Sequence, residues 1–218
     1  MTIDTEKILS ACDHTLLKQE AGFDDIKKLI DEAVEYKTAS VCIPPCFVKD
    51  AAEYAGGRTK ICTVIGFPNG YHTTDVKVYE TERAVKEGAD EIDMVINIGM
   101  LKSGNDDYVL DEINRIKAAC DGHLLKVIVE TCLLTEEEKI RICDIVNKSD
   151  ADYIKTSTGF STGGATFEDI KLMAEHMNPG KGIKASGGIS TLEDARKFMD
   201  LGATRLGTSR IVKLVGQG

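Results

Sequence analysis

Two lysines lie in short apolar segments that predict buried strands. Lys155 lies in DYIKTSTG (152–159) and Lys184 in GIKASGGI (182–189), and small hydroxyl residues and glycine follow each lysine. A buried lysine is rare because its charge is costly outside water. Enzymes use such pairs to keep one amine neutral, so that it attacks a carbonyl group and forms a Schiff base. The pair therefore predicts Schiff-base chemistry, with a structural ion pair as the alternative for each lysine.

Asp93 follows Glu91-Ile92 and interrupts the apolar segment IDMVI at 92–96. A carboxylate in such a segment either neutralises a lysine in a salt bridge or moves protons during Schiff-base formation. We expect the second role, shared with Lys155 or Lys184. Spacing alone does not show which of the two lysines is the nucleophile.

Strand-like and helix-like segments alternate along the chain, which predicts a largely parallel sheet. Strands are predicted near 8–12, 39–43, 61–65, 91–96, 124–129, 153–155, 182–185 and 204–207, and helices near 24–37, 47–55, 74–88, 106–119, 135–148, 166–177, 191–200 and 209–215. This predicts a single-domain (β/α)8 TIM barrel over residues 1–218. The rival, a doubly wound open sheet, more often has a Gly-x-Gly-x-x-Gly turn after its first strand, and residues 12–17 contain none. Thr135, Thr166 and Ser190 or Thr191 are expected to cap helices.

The active site of such a barrel lies at the carboxyl ends of its strands. The side chains expected there are Asp13, Thr15, Cys42, Asp93, Lys126, Lys155 and Lys184. Lys126 and Glu130 have the same parity on the fifth strand and should share a face. We expect them to form an outer charge network that supports the site, and Cys42 to lie near the pocket without an assigned role.

The formal net charge of −9 argues against nucleic acid and anionic membranes as partners, and weakly against an anionic substrate. Two glycine-containing loops nevertheless follow the last two predicted strands, at Gly187-Gly188 and at Gly207-Thr208-Ser209. Glycines let backbone N–H groups approach an anion closely, and barrels often bind phosphate at these two loops. A phosphorylated small molecule is therefore the expected ligand.

Other classes of protein fit the sequence less well. The four histidines do not form a ligand cluster, which argues against a zinc-dependent enzyme, and no metal site is expected. Seven scattered cysteines suggest free thiols in a reducing cytosol. No segment reaches the roughly 18 apolar residues of a membrane span, and the first residues lack the layout of a signal peptide. A cytoplasmic protein is expected.

These motifs together resemble those of the deoxyribose-phosphate aldolase family. The resemblance rests on DHTL at 13–16, VCIPP at 41–45, EIDMV at 91–95, KVIVET at 126–131, YIKTSTG at 153–159 and GIKASGGI at 182–189. It covers nearly the whole chain in order. It implies a TIM barrel and a class I aldolase without a cofactor, which reversibly cleaves 2-deoxy-D-ribose 5-phosphate to D-glyceraldehyde 3-phosphate and acetaldehyde.

The resemblance also implies roles for individual residues. Lys155 would be the Schiff-base lysine, Lys184 the lysine that lowers its pKa, and Asp93 the proton donor and acceptor. Phosphate contacts are implied at Gly159, Gly187, Gly188, Gly207 and Ser209. Some members end in a tyrosine that reaches the active site, whereas this chain ends in Gly216-Gln217-Gly218, so the resemblance does not extend to tail-assisted protonation.

Two alternative functions remain open at this point. One is another Schiff-base aldolase that acts on a different sugar phosphate, which a substrate panel would separate. The other is a non-catalytic barrel that binds a phosphorylated metabolite, which would bind its ligand without forming an imine. In either case we expect a homo-oligomer, a dimer or tetramer, because barrels of this type commonly self-associate.

Overall fold

Eight parallel strands close into a barrel in the computed structural model, which describes residues 3–216. Each strand pairs with the next along the chain, and the last pairs with the first, with Asp13 opposite Gly207. The strands are β1 (Cys12–Thr15), β2 (Ser40–Ile43), β3 (Ile61–Ile65), β4 (Glu91–Val95), β5 (Leu124–Ile128), β6 (Tyr153–Lys155), β7 (Gly182–Ser186) and β8 (Arg205–Thr208). The predicted TIM barrel is confirmed, and the open sheet is excluded.

Helices surround the barrel between successive strands. Over the described range they are α1 (Ile3–Ser10), α2 (Phe23–Tyr36), α3 (Val48–Ala55), α4 (Thr74–Lys86), α5 (Ile98–Lys102), α6 (Asp106–Ala119), α7 (Glu136–Lys148), α8 (Phe167–His176), α9 (Leu192–Asp200) and α10 (Ile211–Gly216). Three expected caps are confirmed, since the hydroxyls of Thr135, Thr166 and Thr191 accept hydrogen bonds from the first turns of α7, α8 and α9. From residue 3 to residue 216, no helix is both long enough and apolar enough to cross a membrane.

The prediction of a strand at 8–12 is wrong. Residues 8–10 end the helix α1, and the first strand begins only at Cys12. Ile8 and Leu9 are each only 1% exposed, so their apolar pattern reflects a helix that packs against the barrel. A short apolar run does not distinguish a buried helix from a buried strand. The expectations for the extreme ends, at residues 1–2 and 217–218, lie outside the described residues.

The main apolar core lies outside the strands, between the barrel and its helices. Along β4, for example, Ile92 and Met94 belong to this core, while Glu91 and Asp93 alternate with them. The alternating positions of β1 and β4 to β8 carry charged side chains into the barrel: Asp13, Glu91, Asp93, Lys126, Lys155, Lys184 and Arg205. Barrel interiors are usually filled by branched apolar residues, so this one depends on charge pairing instead.

Candidate active site

The carboxylate of Asp93 lies at the centre of the charged interior. Its oxygens accept hydrogen bonds from Lys126 at 2.8 Å, Lys155 at 2.7 Å and Lys184 at 2.6 Å. Burial alone would raise the pKa of Asp93, but the positive charges of the three lysines outweigh it and hold this pKa well below the usual range. Lys155 and Lys184 therefore both contact Asp93, and Asp93 is an ionised hydrogen-bond acceptor between the amines.

Two of the lysines are anchored by several carboxylates each. Lys184 contacts Asp13 as well as Asp93. Lys126 lies 2.6 Å from Glu91, 2.8 Å from Asp93 and 3.6 Å from Asp13. Burial disfavours their charge, but the carboxylates outweigh this effect and raise the pKa of both lysines, so both remain protonated at neutral pH.

The predicted outer network of Lys126 and Glu130 is not found. Lys126 is fully buried inside the barrel. β5 ends at Ile128, and the backbone then turns into the left-handed region at Glu130, with φ of 55°. The Glu130 carboxylate accepts a hydrogen bond from the backbone N–H of Thr158 at 3.3 Å. The alternation of side chains along β5 therefore does not extend to Glu130. Its carboxylate instead fixes the loop that follows Lys155.

Sequence analysis missed two further members of the charged network, Arg205 and Glu91. The Arg205 guanidinium lies 2.6 Å from Asp13 and 3.3 Å from Glu91. The signal that could have revealed them is the one used for the lysines, a charged residue inside a strand that is otherwise buried. In the described interior, four cationic side chains face three carboxylates, so one positive charge is in excess.

Lys155 differs from the other interior lysines because it faces a cavity. A cavity of about 770 Å³ opens at the carboxyl ends of the strands, and Lys155 lines it. Of the carboxylates in the described residues, Lys155 contacts Asp93 alone. Thr15 also lines the cavity, and its hydroxyl donates to the carbonyl oxygen of Asp13 at 2.7 Å. Of the three lysines that contact Asp93, the cavity therefore gives a small molecule access to Lys155 alone.

Glycine-containing loops form part of the cavity wall. The residues predicted to contact phosphate all line it: Gly159, Gly187, Gly188, Gly207 and Ser209. Gly159, Gly187 and Gly188 have φ of 82°, 69° and 72°, in the left-handed region that favours glycine. Added Cβ atoms at Gly187 and Gly188 would approach the backbone of Gly164 and Ala165, to 3.1 Å and 2.8 Å. The structure thus brings the loops after β6, β7 and β8 together.

Cys42 lies outside the cavity lining. It is fully buried in a small apolar cluster with Cys62 and Val64. Two groups here have the spacing of metal ligands, one formed by Cys42, Cys62 and Asp93 and the other by Asp13, Cys62 and Glu91. The Lys126 ammonium lies 3.4 Å from the Cys62 sulfur and contacts all three carboxylates. This lysine already supplies the positive charge that a metal ion would bring to these groups.

Comparison with known proteins shows the family to which this chain belongs. The family model described as "DeoC/LacD family aldolase" matches residues 7–210. A deoxyribose-phosphate aldolase of Streptococcus agalactiae is 59% identical over 98% of this chain and 96% of its own length. A crystal structure from Coccidioides immitis has a TM-score of 0.94 and 40% identity, covering 98% of this chain and 86% of the other. A tetrameric deoxyribose phosphate aldolase from Aeropyrum pernix has a TM-score of 0.90 and 33% identity, covering 98% and 91%. The chain therefore belongs to the DeoC/LacD family of aldolases.

Proposed function

We propose that this protein is a class I aldolase that reversibly cleaves 2-deoxy-D-ribose 5-phosphate to D-glyceraldehyde 3-phosphate and acetaldehyde, in deoxyribonucleoside catabolism. Family membership and the named activity of relatives 59% identical support the reaction. The observation that carries it here is the placement of Lys155. Its amine lies 2.7 Å from Asp93, and Lys155 lines a cavity whose wall includes the glycine loops.

The contacts of the three lysines support Lys155 as the nucleophile. Lys126 and Lys184 are each held by at least two carboxylates and are fully buried. Lys184 then provides a fixed positive charge beside the Lys155 amine. Of these three lysines, only Lys155 lines the cavity, so it is the one that a substrate can reach.

The reaction follows from this arrangement. The Lys155 amine adds to the C1 aldehyde of the open-chain sugar, and loss of water leaves an iminium ion. Asp93, assisted by Lys184, accepts the proton of the C3 hydroxyl. The electrons of the C2–C3 bond then move into the iminium, C3 becomes the aldehyde of glyceraldehyde 3-phosphate, and an enamine remains on Lys155. Protonation of C2 and addition of water release acetaldehyde and restore the amine.

The glycine loops are suited to the phosphate group. Their backbone N–H groups bind an anion without adding charge, and the cationic side chains of Arg210 and Lys213 line the same cavity. We assign the phosphate contacts to Gly159, Gly187, Gly188, Gly207 and Ser209 on this basis. A local positive site of this kind offsets the unfavourable net charge of −9.

The assembly and the compartment are part of the same proposal. We propose that residues 1–218 act as a single domain and that copies of the chain form a homo-oligomer, as the tetrameric relative from Aeropyrum pernix suggests. All seven cysteines are free thiols, which fits a reducing compartment such as the cytoplasm.

Borohydride trapping tests the proposed chemistry directly. The protein is incubated with 2-deoxy-D-ribose 5-phosphate, reduced, and digested for peptide mass mapping. We expect one stable adduct on Lys155 and none in Lys155→Met. An adduct on Lys184 would reverse the assignment of the two lysines. Binding of the sugar phosphate by folded protein without any adduct would indicate a non-catalytic barrel, and a panel of sugar phosphates would reveal a different preferred substrate.

A further inference from the structure

Ser186 is a polar side chain of the cavity that has no role in the reaction described so far. It ends β7 and has the same strand parity as Lys184, so both side chains face the inside of the barrel. Its Cα pairs with Gly207 of β8, and Gly187 follows it directly. Ser186 lines the cavity and is 5% exposed. It therefore lies between the lysines and the phosphate loops.

The Ser186 hydroxyl lacks a hydrogen-bond partner within residues 3–216. The backbone of Ser186, by contrast, is fixed by Thr156, whose hydroxyl lies 3.1 Å from the Ser186 nitrogen and 3.3 Å from its carbonyl oxygen. A buried hydroxyl without a partner costs free energy. Such an unsatisfied group beside a binding cavity suggests that its partner arrives with the ligand.

Gly207 leaves room for this hydroxyl. A Cβ atom at Gly207 would collide with the Ser186 oxygen and lie 3.1 Å from Cε of Lys184. Serine has few rotamers, and a single rotation about Cα–Cβ redirects its hydroxyl. The side chain can therefore turn from β8 towards a bound molecule without any movement of the backbone.

The proposed substrate has a hydroxyl at the matching place. With C1 on Lys155 and the C5 phosphate at the glycine loops, C3 and C4 lie between them. The C3 hydroxyl gives up its proton near Asp93. The C4 hydroxyl, one carbon nearer the phosphate, therefore lies close to the part of the cavity wall that adjoins the phosphate loops. We infer that Ser186 is a specificity-determining residue that hydrogen-bonds the C4 hydroxyl of the sugar phosphate. This inference rests on the proposed function.

The synthetic direction gives the sharpest test. Acetaldehyde is the donor, and two acceptors are compared: D-glyceraldehyde 3-phosphate, whose C2 hydroxyl becomes the C4 hydroxyl of the product, and 3-phosphooxypropanal, which lacks it. We expect Ser186→Ala to lower kcat/KM for the hydroxylated acceptor about five- to tenfold, the effect of one neutral hydrogen bond. The value for the deoxy acceptor should change less than about twofold, so the ratio of the two falls.

Ser157→Ala is the matched control. The Ser157 hydroxyl is also buried and unpaired among the described residues, but it does not line the cavity. The control should leave the acceptor ratio unchanged, and Ser186→Cys, which keeps the size of the side chain, should act like Ser186→Ala. The melting temperature of Ser186→Ala should equal or exceed that of the wild type, because an unpaired hydroxyl is removed.

Three results would overturn the inference. They are an unchanged acceptor ratio in Ser186→Ala, an equal loss with both acceptors, and an equal change of the ratio in Ser157→Ala. Failure of the wild-type protein to form deoxyribose phosphate from acetaldehyde would instead contradict the proposed function. The two failures are thus separated by the wild-type measurement.

Discussion

Lys126 and Lys155 contact the same carboxylate but are expected to affect stability differently. Lys126 is fully buried among Asp13, Glu91 and Asp93. Breaking a buried ion network by removal of one member costs about 3–5 kcal/mol, and loss of Lys126 breaks its contacts with three carboxylates at once. Lys126→Met should therefore lower the free energy of unfolding by about that amount, as measured by urea denaturation at pH 7.

Lys155→Met is the natural comparison for that variant. Asp93 keeps two other lysines when Lys155 is replaced, and Lys155 contacts no other carboxylate among the described residues. The free energy of unfolding should change by less than about 1 kcal/mol, the size of a weak surface pair. Similar losses of unfolding free energy in the two variants would contradict this assignment, in which Lys126 stabilises the barrel interior and Lys155 contributes little to stability.

The pH dependence of stability tests the electrostatics of Asp93. Its pKa in the folded protein is lowered, because the lysine charges outweigh burial. The stabilisation that it provides is therefore complete above the unfolded pKa of about 3.9, and is lost as the pH falls through the folded pKa. The stability difference between the wild type and Asp93→Asn should stay constant from pH 8 to pH 5 and shrink below about pH 4.

Urea unfolding of both proteins at pH 8, 6, 5, 4 and 3 provides the measurement. Comparing two proteins cancels the contributions of carboxylates that do not interact with Asp93. A difference that remained constant down to pH 3 would mean that folding does not lower the pKa of Asp93, contrary to its three lysine contacts.

At the level of elements, helices α4 and α6 are joined by a buried ion pair. Lys77 of α4 donates to Glu112 of α6 and to the carbonyl oxygen of Val95, each at 2.8 Å. Glu112 also accepts a hydrogen bond from the backbone of Asn97 at 2.9 Å. Burial lowers the pKa of Lys77 and raises that of Glu112, and each partner's charge opposes this shift in the other. The pair fixes the end of β4, the strand that carries Asp93.

A double-mutant cycle should show strong coupling within this pair. Lys77→Met alone should cost about 3–5 kcal/mol, because Glu112 would remain buried without its cation. Adding Glu112→Gln should recover most of that loss, since the amide keeps an oxygen for Asn97. Arg115 and Asp75 join the same two helices at the surface, and Arg115→Met should cost under about 1 kcal/mol. Additive effects of Lys77→Met and Glu112→Gln would contradict the coupling.

The sequence predicted strands and helices well where the hydrophobic periodicity was clear, and it revealed several of the buried charges of strands. Lys155 and Lys184 stood out because a charge within an apolar strand is expensive. Lys77 did not, since helices normally carry lysines on their surfaces and one buried lysine among them leaves the pattern unchanged. Residues 8–10 were assigned to a strand because a short apolar run fits either element. The hydroxyl of Ser186 gave no signal, because its lack of a partner is a property of the folded barrel.

For the whole molecule, the closed barrel should separate the seven cysteines into two kinetic classes. Cys46 and Cys132 are exposed, and the remaining five are buried: Cys12, Cys42, Cys62, Cys120 and Cys143. Burial raises the pKa of Cys12, Cys120 and Cys143 to about 12, and a protonated thiol is a poor nucleophile. A disulfide reagent that reports thiol reaction by absorbance should therefore modify two thiols rapidly at pH 8.

The other five thiols should react together, at the rate of global unfolding, because they are distributed around a barrel with no free strand edge. The variant Cys46→Ser/Cys132→Ser should lose the fast phase and keep the slow one. A separate, intermediate phase for one inner thiol would show that part of the barrel opens on its own. That result would be most informative at Cys42, whose pKa is lowered chiefly by a hydrogen bond from Cys62. It would mean that the part of the barrel around Cys42 on β2 opens while the rest remains folded.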